Sequence, residues 1–180
     1  MKIVDSALNG VLLLEPRVFG DDRGFFLESY NQKTMADLGI AESFVQDNHS
    51  YSTRNVIRGL HYQLQQTQGK LIRCAFGEIF DVAVDLRRSS KTFGEWFGAT
   101  LSGENKRVMW IPPGFAHGFH VRSDGAHVLY KATDFYHPAS ERTLLWNDPH
   151  LNISWNVSGT PIISAKDALG LPLASAETFA

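Results

Sequence analysis

The stretch NVIRGLHYQL, residues 55–64, sets one histidine, His61, in a run patterned like a buried strand. Arg58 precedes it closely, and Lys70 and Arg73 follow. An imidazole in that company can be a metal ligand, a hydrogen-bonded core residue or a proton-transfer group beside an anion. Six other histidines occur, at positions 49, 117, 120, 127, 137 and 150. His117 and His120 have an H-x-x-H spacing, which on a strand turns the two rings to opposite faces and makes a poor chelate. GLHYQL offers a single histidine and no glutamate after it. Metal-holding sandwiches use an H-x-H pair with a nearby carboxylate, so a metal centre is disfavoured here, although ligands drawn from distant strands stay open. His137 beside Pro138 and His150 beside Pro149 read as turn residues.

Burying Arg58 and Lys70 without partners would be costly, so a cluster inside a sandwich calls for an anionic ligand. Phosphate suits it. Arg73 reads as part of a solvated face. Imidazoles in general exchange protons near neutral pH. Strict alternation sends Arg58 and His61 to opposite faces, and a bulge at Gly59 would bring them together. In DDRGFFLESY, Arg23 emerges from a turn among Phe19, Phe25 and Phe26. That is either a strand start with core aromatics, or an arginine for phosphate with an aromatic for stacking. Tyr130, in HVLYKATDFY, alternates with Lys131. It is either a core tyrosine or an acid facing a base across a pocket.

The elements that must position these groups are short strands. In EIFDVAVDL, Phe80, Val82, Val84 and Leu86 share one face, and Asp81, Ala83 and Asp85 the other. Similar runs are GVLLLEP, GFFLESY, SFVQDNHS, VIRGLHYQ, KLIRCAF, GEWFGATLS, RVMWIP, AHVLYKATDFY and TLLWN, separated by turn signals such as DDRG and PPG. This spacing predicts an all-β antiparallel sandwich or barrel. A short helix is expected over NQKTMADLG, capped by Asn31 and stopped at Gly39, and another over SAKDALG, capped by Ser164. Pro112 and Pro113 mark a strand end, beyond which residues often lie at the mouth of a sandwich. No composition break or repeat appears, so residues 1–180 are expected to form one domain.

Composition narrows the class. With 43% hydrophobic and 20% charged residues, the chain reads as globular. A net charge of −2 argues against a nucleic-acid partner. The lone Cys74 excludes an intramolecular disulfide and a cysteine-based zinc site, and among apolar neighbours it reads as a buried core residue. No run is long enough to span a membrane, and the amino end lacks a secretion-signal pattern. A cytoplasmic protein is the expectation.

Taken in order, DDRGFFLESYN, FVQDNHSYSTRNVIRGLHYQ, GKLIRCAFGEIFDVAVDLRRSSKTFGEW, WIPPGFAHGF, LYKATDFYHPASERTLLWNDP and SAKD resemble the dTDP-4-dehydrorhamnose 3,5-epimerase family over nearly the whole chain. The resemblance implies a cupin-like jelly roll with a few short helices, a homodimer, and catalysis without metal or cofactor on a dTDP-4-dehydro-6-deoxy sugar. It implies that His61 is the base, Asp167 its carboxylate partner and Tyr130 the acid, with Lys70 near the ketone oxygen. Arg58 falls at the sugar and diphosphate. Arg23, Glu28, Gln46, Asn48, His117, Glu141 and Lys166 match further substrate-binding positions, and Phe19 and Phe26 match the region that holds the thymine; the family alternative is that some of these aromatics belong to the neighbouring subunit's pocket. His120 and His127 stand where the pattern has plainer residues. The implied reaction inverts C3 and C5; sister activities at C3 alone or C5 alone, and a metal-dependent cupin enzyme, are its rivals.

Overall fold

The computed structural model describes residues 1–180. Its strands are β1 (Lys2–Ala7), β2 (Val11–Glu15), β3 (Val18–Asp21), β4 (Gly24–Leu27), β5 (Gln46–Thr53), β6 (Val56–Gln63) and β7 (Lys70–Phe76). They continue as β8 (Glu78–Asp85), β9 (Trp96–Ser102), β10 (Val108–Ile111), β11 (Phe115–Val121), β12 (Gly125–Ala132), β13 (Glu141–Thr143) and β14 (Ile162–Ile163). Helix α1 covers Gln32–Asp37 and α2 covers Ala165–Ala168. One sheet runs β1-β2-β10-β7-β12-β5; the facing sheet runs β13-β6-β11-β8-β9, with β14 beside β6. This is the antiparallel sandwich that the strand spacing predicts, in the jelly-roll form that the resemblance implies. The β3–β4 hairpin is a separate two-stranded ribbon.

Three apolar clusters hold the layers. Between the sheets, Leu13, Ile72, Ile79, Met109, Phe115, Val121 and Val128 belong to a core of 16 buried residues. Outside the second sheet, Ile57, Leu60, Val82, Val84 and Leu86 pack against Leu144, Leu151 and Trp155. Outside the first sheet, Leu14, Leu71, Val108 and Trp110 are covered by Met35 of α1 and by Ile40. Each fully buried aliphatic side chain contributes about 1.5–3 kcal/mol, so both outer covers are integral to the fold.

The β8 alternation explains how polar groups reach the interior. Val82, Val84 and Leu86 face the outer cover, and Ile79 and Ala83 face the space between the sheets. Asp81 and Asp85 are therefore on the inward face, and both are fully buried. Asp85 is neutralised locally by Arg87 and by the hydroxyls of Ser90 and Thr92. These bonds outweigh the burial that would raise its pKa and hold it at about 2.

Both expected helices form. Asn31 accepts from the Thr34 amide at 3.1 Å and Ser164 from the Asp167 amide at 3.0 Å, as N-caps do. Gly39 adopts φ 89°. Several strand expectations are corrected. The TLLWN run is not a strand: β13 ends at Thr143, and Leu144 turns out of the sheet into the outer cover. The SFVQDNHS strand begins only at Gln46, since Phe44 packs edge-on to Trp110 and Tyr30 instead. The strand over AHVLYKATDFY ends at Ala132, which leaves Phe135 and Tyr136 on a loop. Strands β1, β3, β11 and β14 carry no clear period-two signal. In β11 every residue is buried, so both faces are covered and the alternation vanishes.

Candidate active site

A bulge in β6 builds the site. In the β6–β11 ladder His117 lies opposite His61 and Phe119 opposite Arg58, so β6 spends one more residue than β11 over that span. Gly59 sits at the irregularity with φ 108°, and its peptide to Leu60 is cis. A Cβ there would lie 2.6 Å from both the Gly118 Cα and the His117 carbonyl oxygen, so only glycine fits. The outcome is that Arg58 and His61 line one cavity, with Ser50, Lys70, His117 and Tyr130, while Leu60 turns outward into the cover.

His61 and Tyr130 approach this cavity from opposite sheets, β6 and β12. His61 Nε2 lies 2.6 Å from Asp167 Oδ1. Asp167 is nearly buried and also accepts from the Gly59 amide at 3.2 Å. Burial alone would raise its pKa, but His61, the Gly59 amide and Ser164 outweigh it and hold the group as a carboxylate. A carboxylate accepts, so His61 Nε2 carries the proton and Nδ1 is the free lone pair. α2 is thereby fastened to the strand that bears His61, and Lys166 of the same helix binds Glu141 on β13.

Lys70 is 8% exposed. Burial pulls its pKa down to about 8, against the fields of Asp81 and Glu141. A buried ammonium is a strong local positive charge. Burial raises the Tyr130 pKa, with Arg58 opposing, so its phenol is a retained proton donor. Arg58 is fixed at the rim by Ser52 Oγ at 2.8 Å.

A connected compartment is lined by Gln46, Asn48, His61, Lys70, Tyr130 and Glu141, with Gln63, Gln68 and Tyr136. Tyr136 donates to Glu141 at 2.7 Å. Thus His61, Tyr130, Asp167, Lys70, Arg58, Gln46, Asn48, His117, Glu141 and Lys166 meet at one place. Phe19, Arg23 and Phe26 do not: they line a separate concavity on the β3–β4 hairpin. Both phenylalanines are at least half exposed. Glu28 bonds Asn31 instead. Arg73 lies on the outer face of β7, away from the cavity. No three His, Cys, Asp or Glu side chains converge as a metal centre would require.

The sequence reading missed Asp81, whose Oδ1 lies 2.8 Å from His117 Nε2. Its signal was its place opposite the aliphatic face of β8. Tyr136 was missed because the loop after β12 has no period to read. His120 is buried on the far side of β11 and meets the Trp155 carbonyl at 3.2 Å, while His127 pairs with His49 on the outer face at 2.9 Å. Cys74 is buried, with its thiol pushed up to about 11, as a core cysteine should be.

Fold and cavity together define a cupin-type jelly roll whose polar interior brings acidic and basic side chains together. Within that class the chain belongs to the dTDP-4-dehydrorhamnose 3,5-epimerase family, whose model matches residues 5–175. It is 59% identical to a dTDP-4-dehydrorhamnose 3,5-epimerase from Pseudomonas aeruginosa, covering 99% of both chains. Its fold superposes on a dTDP-6-deoxy-D-glucose-3,5-epimerase from Legionella pneumophila, solved with dTDP-4-keto-L-rhamnose, at TM-score 0.96 and 50% identity, covering 98% and 94% of the two chains. It also matches a dTDP-4-dehydrorhamnose 3,5-epimerase from Bacillus anthracis, solved with TDP and pyrophosphate, at TM-score 0.91 and 48% identity, covering 93% and 97%.

Proposed function

We propose that this chain, acting as one catalytic domain over residues 1–180, inverts C3 and C5 of dTDP-4-dehydro-6-deoxyglucose to give dTDP-4-dehydro-L-rhamnose. The observation that carries this reading is His61 of one sheet, paired at 2.6 Å with Asp167 of α2 and facing Tyr130 of the other sheet across a shared cavity. The C–H groups at C3 and C5 flank the C4 ketone. Removing either proton builds negative charge on the ketone oxygen, which the Lys70 ammonium stabilises. His61 Nδ1 takes the proton, and Tyr130 returns one to the opposite face of the carbon. Asp167 fixes the His61 tautomer and stabilises the imidazolium. Because both carbons neighbour one carbonyl, one acid–base pair serves both after the sugar turns. No electron carrier is needed. Arg58 holds the diphosphate, and Gln46, Asn48, His117, Glu141 and Lys166 hold the sugar and nucleotide.

The exposed β3–β4 hairpin fits a homodimer in which Phe19, Arg23, Phe26 and Glu28 complete the partner's cavity. The test is incubation with dTDP-4-dehydro-6-deoxyglucose in heavy water. Deuterium at both C3 and C5 is expected. Label at one carbon only would reassign the chain to a sister activity, and no label would remove the reading. Retained exchange in chelator separates it from a metal-dependent cupin enzyme.

A further inference from the structure

Two carboxylates of β8 are fully buried inside the jelly roll. Asp85 is saturated by Arg87, Ser90 and Thr92. Asp81 is not. Its Oδ1 meets His117 Nε2 at 2.8 Å, and its Oδ2 is buried with no hydrogen-bond partner. A lone buried carboxylate oxygen is expensive unless a charge nearby compensates it. The cation that faces the same interior is Lys70, on the opposite sheet and itself almost wholly buried.

Resting on the reading above, we propose that Asp81 is a positioning residue for the reaction. It holds His117 with Nδ1 toward the cavity, and it supplies the negative charge that keeps Lys70 an ammonium beside the substrate ketone. The carboxylate accepts, so His117 Nε2 bears the proton and its Nδ1 presents a lone pair to a sugar hydroxyl. Titratable groups surround Lys70 from five strands. Arg58 and His61 reach it from β6, His117 from β11, Tyr130 from β12, Glu141 from β13 and Asp81 from β8. Tyr136 is engaged with Glu141. Of the three carboxylates in or beside the cavity, Glu141 is already bound by Lys166 and Tyr136, and Asp167 by His61 and the Gly59 amide. Asp81 alone keeps a fully buried oxygen without a hydrogen-bond partner. Burial pushes the Lys70 ammonium toward its neutral form, and the field of Asp81 is the foremost influence acting the other way.

The test is the pH dependence of kcat/KM for wild type and Asp81→Asn, which keeps an acceptor for His117 while removing the charge. Wild type should lose activity on the alkaline side near the Lys70 value of about 8. In Asp81→Asn that limb should move down by about one pH unit, with kcat falling more than KM rises. A merely structural role would lower the amplitude and leave the limb in place, and that result overturns the proposal. In a Lys70→Arg background the guanidinium stays charged, so adding Asp81→Asn should move no limb; movement there also counts against it. A stability cycle of Asp81→Asn, Lys70→Met and the double variant needs no activity. If the charges compensate each other, the double variant unfolds at a higher denaturant midpoint than the two single effects predict. Additive effects sink the proposal. If wild type shows no isotope exchange, the functional reading fails, and the stability cycle still decides whether Asp81 and Lys70 are coupled.

Discussion

His61 and His117 face each other across β6 and β11, and each gives its Nε2 to a carboxylate. The distances are similar, 2.6 Å and 2.8 Å. The surroundings are not. The His61 side chain is 31% exposed and that of His117 only 8%. The carboxylate for His61 comes from a helix far along the chain and is held by the Gly59 amide as well. The one for His117 comes from the neighbouring strand and has an idle oxygen. A His–Asp pair is therefore no signature of a base by itself. Of the two rings His61 is the more accessible, as a base that must reach its substrate and discharge its proton would be.

The largest expected effect tests this difference directly. His61→Asn should lower isotope exchange by about 10³-fold or more, while binding of dTDP, followed by calorimetry, stays near wild type. His117→Asn should cost about 10–100-fold, in part through KM, because it removes a positioned acceptor rather than the base. Equal losses in the two variants would break the distinction. Tyr130→Phe comes next, at about 10²-fold. A variant that still exchanges the proton α to the ketone while failing to invert the carbon would identify Tyr130 as the donor on the far face.

Gly59→Ala addresses how the two histidines come to differ. The added Cβ meets the backbone of β11 in a conformation that side chains rarely adopt. The expected cost is about 3 kcal/mol in denaturant unfolding. Activity should fall beyond the loss of folded protein, because the bulge aligns Arg58 with His61. Wild-type stability in this variant would show that β6 can bend elsewhere.

The architecture was legible because the strands that alternate, such as β6, β7 and β8, carry their period in plain residues. β11 was not, since a strand covered on both faces has no polar side to display. The bulge was legible only as an option: Gly59 permits it, but the demand comes from Gly118 packing against it. The His61–Asp167 contact joins residues 106 positions apart and could not be read from spacing. It came from the family resemblance, and the geometry agrees. Asp81 escaped for the opposite reason. Its place on β8 was visible, but an aspartate beside aliphatic neighbours reads as the wet face until the outer cover over Val82 and Val84 is seen.

The smallest effect sharpens the contrast from the buried side. Lys70 sits near a pKa of about 8 in the folded chain against an ordinary value of 10.5. Between about pH 8 and about pH 10 the unfolded chain holds the Lys70 proton more tightly, so this group makes stability rise with pH in that window. Under the proposed mechanism activity should fall over the same window, because the ammonium assigned to the ketone oxygen is lost. Stability and activity thus move in opposite directions through one titration. Lys70→Met should flatten that part of the stability curve, measured as the denaturant midpoint at each pH, by an amount on the order of 1 kcal/mol across the window. An unchanged slope would place the alkaline titration elsewhere and leave Lys70 charged throughout. Lys70 thereby gives the buried side of the cavity a signature that a stability titration can measure.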